Sequence, residues 1–404
     1  MTVTGYGKKT LAILFLLMLA AAWVSSDSYT MLGEICGYLR QQAAGGSVEA
    51  AAMPDQESFV TMESLETKYA ASLKQQPMLI ELNGIMAKKL KMQGYYGGIG
   101  IYVTGDGYIV TAYGPASTDY EYEEIMSFKN YLDEKGIHLI YVNKPIKYLD
   151  DDLFRDAFGI ESYGNRNADL LLRRIAGAGV DVIDLRDKIL EDGLDIYDMF
   201  YRTDHHWKTW SGLWAAGKIA AGLNECCGYD IDLSLYDESR YTFTDWEACW
   251  LGEQGRVVGA SYVGLDDYSE IKPGFETDIS FKMPEGFRHG SFDDYIDESM
   301  YDLELDVYEA PSWHYSYAMT DVVNHDATYG KILVLGDSYD HVLVPFLSLG
   351  VSEVNVLALR HFEGSLRDYI AAGDYDTVLI CYTEFMIGAH DDPQSANYRM
   401  FTFE

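Results

Sequence analysis

Positive charge is what this chain has least of: 30 Lys and Arg stand against 64 Asp and Glu, a formal net charge of −34 over 404 residues. At long range such a chain repels phosphate backbones and anionic lipid, which argues against nucleic acid as a partner. A highly anionic polymer is disfavoured on the same ground, and a neutral glycan favoured, unless basic residues gather locally. Cysteine is also scarce. The 5 cysteines comprise the adjacent Cys226 and Cys227 and three scattered residues, so neither a dense disulfide framework nor a CxxC zinc site is encoded. Cys36 follows Leu32-Gly33-Glu34-Ile35, without the small residues that precede a lipidated cysteine. The N-terminal apolar run, Leu11 to Val24, falls short of the roughly 20 residues of a membrane span.

A hydrophobic content of 48% is enough for a substantial core. Residues 1–26, with Lys8 and Lys9 ahead of the apolar run and small and polar residues after it, read as an export signal, cleaved or kept as an N-terminal anchor. Either way the body is expected outside the cytoplasm. Residues 27–93 carry helical stretches broken by Gly45-Gly46 and Pro54, with no chemical motif, and read as a stalk or packing segment. Residues 94–404 read as one α/β domain. Apolar segments around Gly105-Asp106-Gly107 predict a β-hairpin. Helical patterns at about 118–135 and 167–178 alternate with the short apolar strands Ile137–Val142 and Val180–Ile183, which predicts a parallel sheet flanked by helices. From about 228 to 327 the alternation lapses into Asp-, Glu-, Tyr- and Gly-rich sequence with turn cues, expected to be a partly β insertion. The sheet resumes at Lys331–Leu335.

Two distant stretches carry chemistry. Asp204-His205-His206-Trp207 stands at the start of a helical run, about Thr209 to Asn224, and Gly336-Asp337-Ser338-Tyr339 follows the strand Lys331–Leu335. Alone, each reads well as a helix cap. Together they supply carboxylate, imidazole and hydroxyl, the groups of a nucleophilic acyl-transfer site, with the order of roles Asp204, His206, Ser338. His205 is expected to point away from its neighbour and to be structural. No metal site is expected at the two histidines, because adjacent side chains diverge. Backbone amides at the helix start after Ser338, those of Ser338 and Tyr339, are the expected oxyanion donors, with Arg360 as an aid. Trp207 is expected to pack beneath the site or to contact a sugar.

The paired motifs resemble those of the DHHW protein family and, through it, the SGNH hydrolase-like proteins that O-acetylate bacterial exopolysaccharides such as alginate. The resemblance spans roughly Gly97 to Ile387. It assigns the same triad, and it extends to the hairpin, to an Asn143-Lys144-Pro145 turn, and to the positions of Arg360 and Tyr382. It departs from ordinary SGNH hydrolases in that the Asp/His motif precedes the serine and no separate block supplies glycine and asparagine oxyanion donors. What the resemblance implies is an SGNH hydrolase-like fold and transfer of acetyl through an acetyl-serine to the hydroxyls of a cell-surface or secreted polysaccharide. No cofactor is implied. Outside the cell no acetyl-CoA is expected, so a membrane-bound O-acyltransferase is the implied acetyl donor. The alternatives are a secreted carbohydrate esterase using the same acyl-enzyme, and a non-catalytic polysaccharide-binding protein in which Asp204 and Ser338 only cap helices.

Overall fold

The computed structural model describes residues 76–95, 100–283, 285–296, 304, 306–309 and 321–404. The expected export segment and most of the stalk segment lie outside them. Two compact units divide the chain, Met1–Met86 and Ala87–Glu404; the helix Gln76–Leu90 begins in the first, and the architecture below belongs to the second. No helix among the described residues is long and apolar enough to cross a membrane.

The strands are a short antiparallel trio, β1 (Gly94–Tyr95), β2 (Ile101–Val103) and β3 (Ile109–Thr111), then β4 (His138–Lys144), β5 (Asp181–Asp184), β6 (Tyr241–Trp250), β7 (Asp266–Pro273), β8 (Ile279–Met283), β9 (Gly286–Gly290), β10 (Val322–Asn324), β11 (Lys331–Leu335), β12 (Glu353–Leu357) and β13 (Thr377–Thr383). Eight of them form the main sheet in the order β5-β4-β13-β11-β12-β10-β8-β9. The first five are mutually parallel; β10, β8 and β9 continue the sheet antiparallel. The stretch expected as an insertion thus contributes three strands to the sheet itself, while β6 and β7 pair separately. β13, the last strand in sequence, lies between β4 and β11.

The central parallel strands β13 and β11 are buried on both faces, which is why they read as largely unbroken apolar runs. Alternate residues feed opposite layers: Ile332 and Val334 of β11 join one core cluster and Leu333 and Leu335 the other. Helices cover both sides. Ile125, Phe128 and Leu132 of α1 (Asp119–Lys135) and Leu171, Leu172 and Ile175 of α2 (Gly164–Gly177) fill the second layer. In the first layer lie Leu213, Ala216, Ile219, Ala220 and Leu223 of α3 (Thr209–Cys227) and the apolar side chains of α4 (Asp340–Leu347). The α/β class, and the helix-flanked parallel sheet expected for it, are what the structure has. One local reading changes: Asn143 and Lys144 end strand β4 rather than form a turn.

Candidate active site

Ser338 lies just past the C-terminal end of β11, in the tight connection to α4, where an open parallel sheet presents its loops. This turn is tied from within. Asp337 accepts from the amide of Tyr339 at 3.0 Å, from the amide and hydroxyl of Thr383 at 2.8 and 2.9 Å, and from Lys144 Nζ at 2.8 Å. Asp340 accepts from the Asp337 amide at 2.8 Å and from Lys144 Nζ at 2.8 Å. Lys144, Asp337 and Asp340 are all fully buried. Burial alone would raise the pKa of both carboxyls, but the ammonium and the donated hydrogen bonds bring Asp337 below the usual range. Asp340, with Asp337 as a like-charged neighbour, stays above it. Gly336 is required here for closeness: a Cβ at that position would strike the Asp340 carboxylate.

The histidine arrives from the loop ahead of α3. His206 Nδ1 lies 2.6 Å from Asp204 Oδ1, and His206 Nε2 lies 2.7 Å from Ser338 Oγ. Because an ionised carboxylate only accepts, Nδ1 carries the proton toward Asp204 and Nε2 accepts from the serine hydroxyl. Asp204 is 1% exposed. Its burial opposes ionisation, yet the His206 ring and amide and the nearby His205 hold its pKa well below the carboxylate range. The amide of Glu253 also donates to Asp204 Oδ2 at 2.7 Å. The preceding Gly252 lets that backbone approach, since a Cβ there would meet the Asp204 side chain.

The loop is held by residues to which no sequence motif pointed. Asp266 accepts from the amides of Arg202 and Thr203 at 2.7 and 2.8 Å and from the Thr203 hydroxyl at 2.5 Å. Buried Lys147 donates to the carbonyls of Ile109 at 2.8 Å, Arg202 at 3.3 Å and Asp204. Burial pushes its pKa down to about 7, while three carbonyl acceptors match the three N–H donors of the ammonium form. A lysine in a loop and an aspartate at the first position of β7, whose partners lie far along the chain, leave no periodic or motif signal.

The structure sorts the remaining expected residues differently. Trp207 is 1% exposed and donates Nε1–H to the Tyr339 carbonyl at 2.9 Å, while the Tyr339 hydroxyl donates to the His205 carbonyl at 2.5 Å. These two bonds cross-tie the motifs, and Trp207 has no face for a sugar. The Tyr339 amide is committed to Asp337, so it is not a free oxyanion donor; the Ser338 amide donates to no group among the described residues. Tyr382 is fully buried in the second core layer with its hydroxyl on the Met400 carbonyl at 2.6 Å, away from the serine. Arg360 does reach the site. It lines, with Ser338, His341, His361 and Phe362, a cleft of about 310 Å³. Arg360 donates to Asn397 Oδ1 at 3.0 Å, and its buried Nε has no partner. A larger cavity of about 610 Å³, lined by Asp169, Asp184 and Arg186 among others, contains none of the three reactive residues.

His205 corrects the expectation that it diverges from its neighbour. The two imidazoles lie side by side, tilted by 38° with centroids 3.9 Å apart, and His205 Nδ1 lies 3.5 Å from Asp204 Oδ1. Burial, with the His206 ring beside it, lowers its pKa to about 4. Asp204, His205 and His206 are therefore close enough to hold a metal ion, but His206 already spends one ring nitrogen on Asp204 and the other on Ser338.

Residues 104–244 match the family described as SGNH hydrolase-like domain, acetyltransferase AlgX; the match includes Asp204 and His206 and ends before Ser338. No curated protein matches. Among solved structures, PatB1 of Bacillus cereus, determined with a sulfonyl adduct, is 20% identical with a TM-score of 0.59, over 77% of this chain and 100% of that one. A DHHW family protein from Eubacterium siraeum is 16% identical with a TM-score of 0.52, over 74% of this chain and 95% of that one. The O-acetyltransferase domain of Pseudomonas putida AlgJ is more remote, at 12% identity and a TM-score of 0.44 over 76% and 100% of the two chains. Residues 104–244 are thus similar to the SGNH hydrolase-like domain of the acetyltransferase AlgX, and the fold is that of PatB1 and the DHHW protein.

Proposed function

We propose that this protein is an extracytoplasmic O-acetyltransferase that passes an acetyl group through Ser338 to hydroxyls of a cell-surface or secreted polysaccharide. The observation that carries the reading is the unbroken hydrogen-bond chain from Asp204 through His206 to Ser338, which ends at an open cleft. In the first half-reaction His206 Nε2 takes the serine proton as Oγ attacks the acetyl carbonyl. Asp204 stabilises the imidazolium, which then protonates the departing donor oxygen or sulfur. In the second, a sugar hydroxyl gives its proton to His206 and attacks the acetyl-serine, returning Ser338 to its starting state. The Ser338 amide and Arg360 are the donors nearest to the developing oxyanion. Arg360, His341 and His361 line the cleft beside Ser338, together with the Asp337 carboxylate, so the negative net charge of the whole chain does not by itself exclude an acidic glycan there. The acetyl donor in this reading is a membrane-bound O-acyltransferase, and the N-terminal segment exports or tethers the domain.

The test is intact-mass analysis after exposure to an activated acetyl ester, with and without oligosaccharide. An acetyl adduct on Ser338 that is absent from Ser338→Ala and His206→Ala, and that sugar discharges faster than water does, supports transfer. Discharge by water alone would replace this reading with a carbohydrate esterase. A folded protein giving neither adduct nor acetate would leave a binding role.

A further inference from the structure

A second cluster of ligating side chains lies at the other end of the sheet. Asp278 immediately precedes β8, His289 sits on β9, and His325 immediately follows β10. These three strands are neighbours in the sheet. His289 faces Ser280 across the β8–β9 ladder, Val323 faces Ser280 from the other side, and the His325 amide donates to the Asp278 carbonyl at 2.8 Å. One ligand atom from each of Asp278, His289 and His325 lies within 4.8 Å of the others. β10 runs antiparallel to β12, and Asn324 bonds Ser352 just ahead of that strand. The cluster is therefore at the N-terminal end of the parallel strands, and Ser338 is at their C-terminal end.

We propose that Asp278, His289 and His325 form a divalent transition-metal site that staples the antiparallel edge of the sheet. Two imidazoles and a carboxylate are a ligand set that zinc accepts, with water in the fourth position. Zinc bonds of ~2.0–2.1 Å at tetrahedral angles place ligand atoms roughly 3.3 Å apart. Asp278 Oδ1 and His289 Nδ1 are 3.3 Å apart already. Moreover, Asp278 Oδ1 is a buried atom that accepts no hydrogen bond among the described residues, which leaves its lone pairs available to a cation. His325 Nε2 pairs with Ser280 Oγ at 2.8 Å, which orients that ring as outer partners orient metal-binding histidines. The structural benefit is specific to this place. Among the described residues β9 ends the sheet order and its first four residues are exposed, and a strand edge of this kind is a liability that a metal crosslink to β8 and β10 would restrain.

Zinc itself is the probe. The full chain, stripped with a chelator, is titrated with Zn²⁺ against a chromophoric competitor at neutral pH, alongside His289→Ala/His325→Ala, Ser280→Ala and His205→Ala. The expected result is one zinc bound by wild type and by His205→Ala, binding at least about 100-fold weaker in the double variant, and roughly 10-fold or more weaker in Ser280→Ala. Zinc should also raise the melting temperature of wild type and not of the double variant. His289 and His325 are both exposed, so the metal-free double variant should melt like metal-free wild type. Undiminished zinc binding in the double variant, or no binding by wild type at micromolar zinc, overturns the proposal; zinc lost in His205→Ala instead would move it to the Asp204 cluster.

Discussion

Two buried aspartate sites flank Ser338, and they solve the cost of a buried charge in opposite ways. Asp337 and Asp340 share a permanent cation, Lys144, and both are sealed from solvent. Asp204 has no lysine or arginine partner of its own. Its charge is held by the ring and amide of His206 and the amide of Glu253. The first arrangement fixes a turn and gains nothing by moving a proton. The second leaves Asp204's main partner a group that titrates, which is what a proton-transferring base needs. Permanent pairing therefore builds the platform, and in the proposed mechanism conditional pairing does the chemistry on it.

The comparison can be broken from either side. The largest effect is expected for Ser338→Ala, which should lower acyl transfer by on the order of 10⁶ while leaving the unfolding midpoint near that of wild type; rate and denaturation curves measured together check it. Asp204→Asn should follow, at about 10⁴ in turnover, because an amide in place of the carboxylate favours the wrong His206 tautomer. A kcat within tenfold of wild type would sink the conditional-pairing argument. On the other side, Lys144→Met should act on stability, costing about 3–5 kcal/mol in denaturant unfolding by leaving two buried carboxylates without a cation. Adding Asp340→Asn to Lys144→Met should recover part of that loss.

The smallest effect concerns Glu384, just beyond β13. It is buried, 3.2 Å from Arg186, with one carboxyl oxygen lacking a partner, and burial raises its pKa to about 8. Folded Glu384 thus keeps its proton up to about pH 8, whereas the unfolded side chain loses it near pH ~4.5. The fold binds the extra proton in that interval, so this group's contribution to stability falls as pH rises from about 4.5 through 8. Glu384→Gln should flatten that part of the stability profile, as thermal melts across the range would show.

Much of this was legible in the sequence for a physical reason. Strands such as Lys331–Leu335, buried on both faces, declare themselves by unbroken apolar runs, and α1, α2 and α3 by helical spacing. The convergence of Asp204, His206 and Ser338 was legible because each motif sits at the boundary of such an element. Illegible were the contacts whose partners are backbone atoms far along the chain, as with Lys147 and Asp266. Tyr382 misled because strand alternation carries it to the opposite face from Cys381, into the core. The β8–β10 extension was hidden because its strands are short and, in β9, largely exposed.

The position of β13 has a consequence for how the protein is made. It is the last of the eight strands of this sheet in chain order, yet it occupies the middle of the parallel part, and its Thr383 holds the Asp337 carboxylate beneath Ser338. A nascent chain has both flanks of the sheet long before it has the strip that joins them. Such long-range pairing is slow to form, and until it does the serine has no fixed turn to stand on. In the proposed mechanism, reactivity is thereby deferred until β13 is in place and the sheet has closed around it.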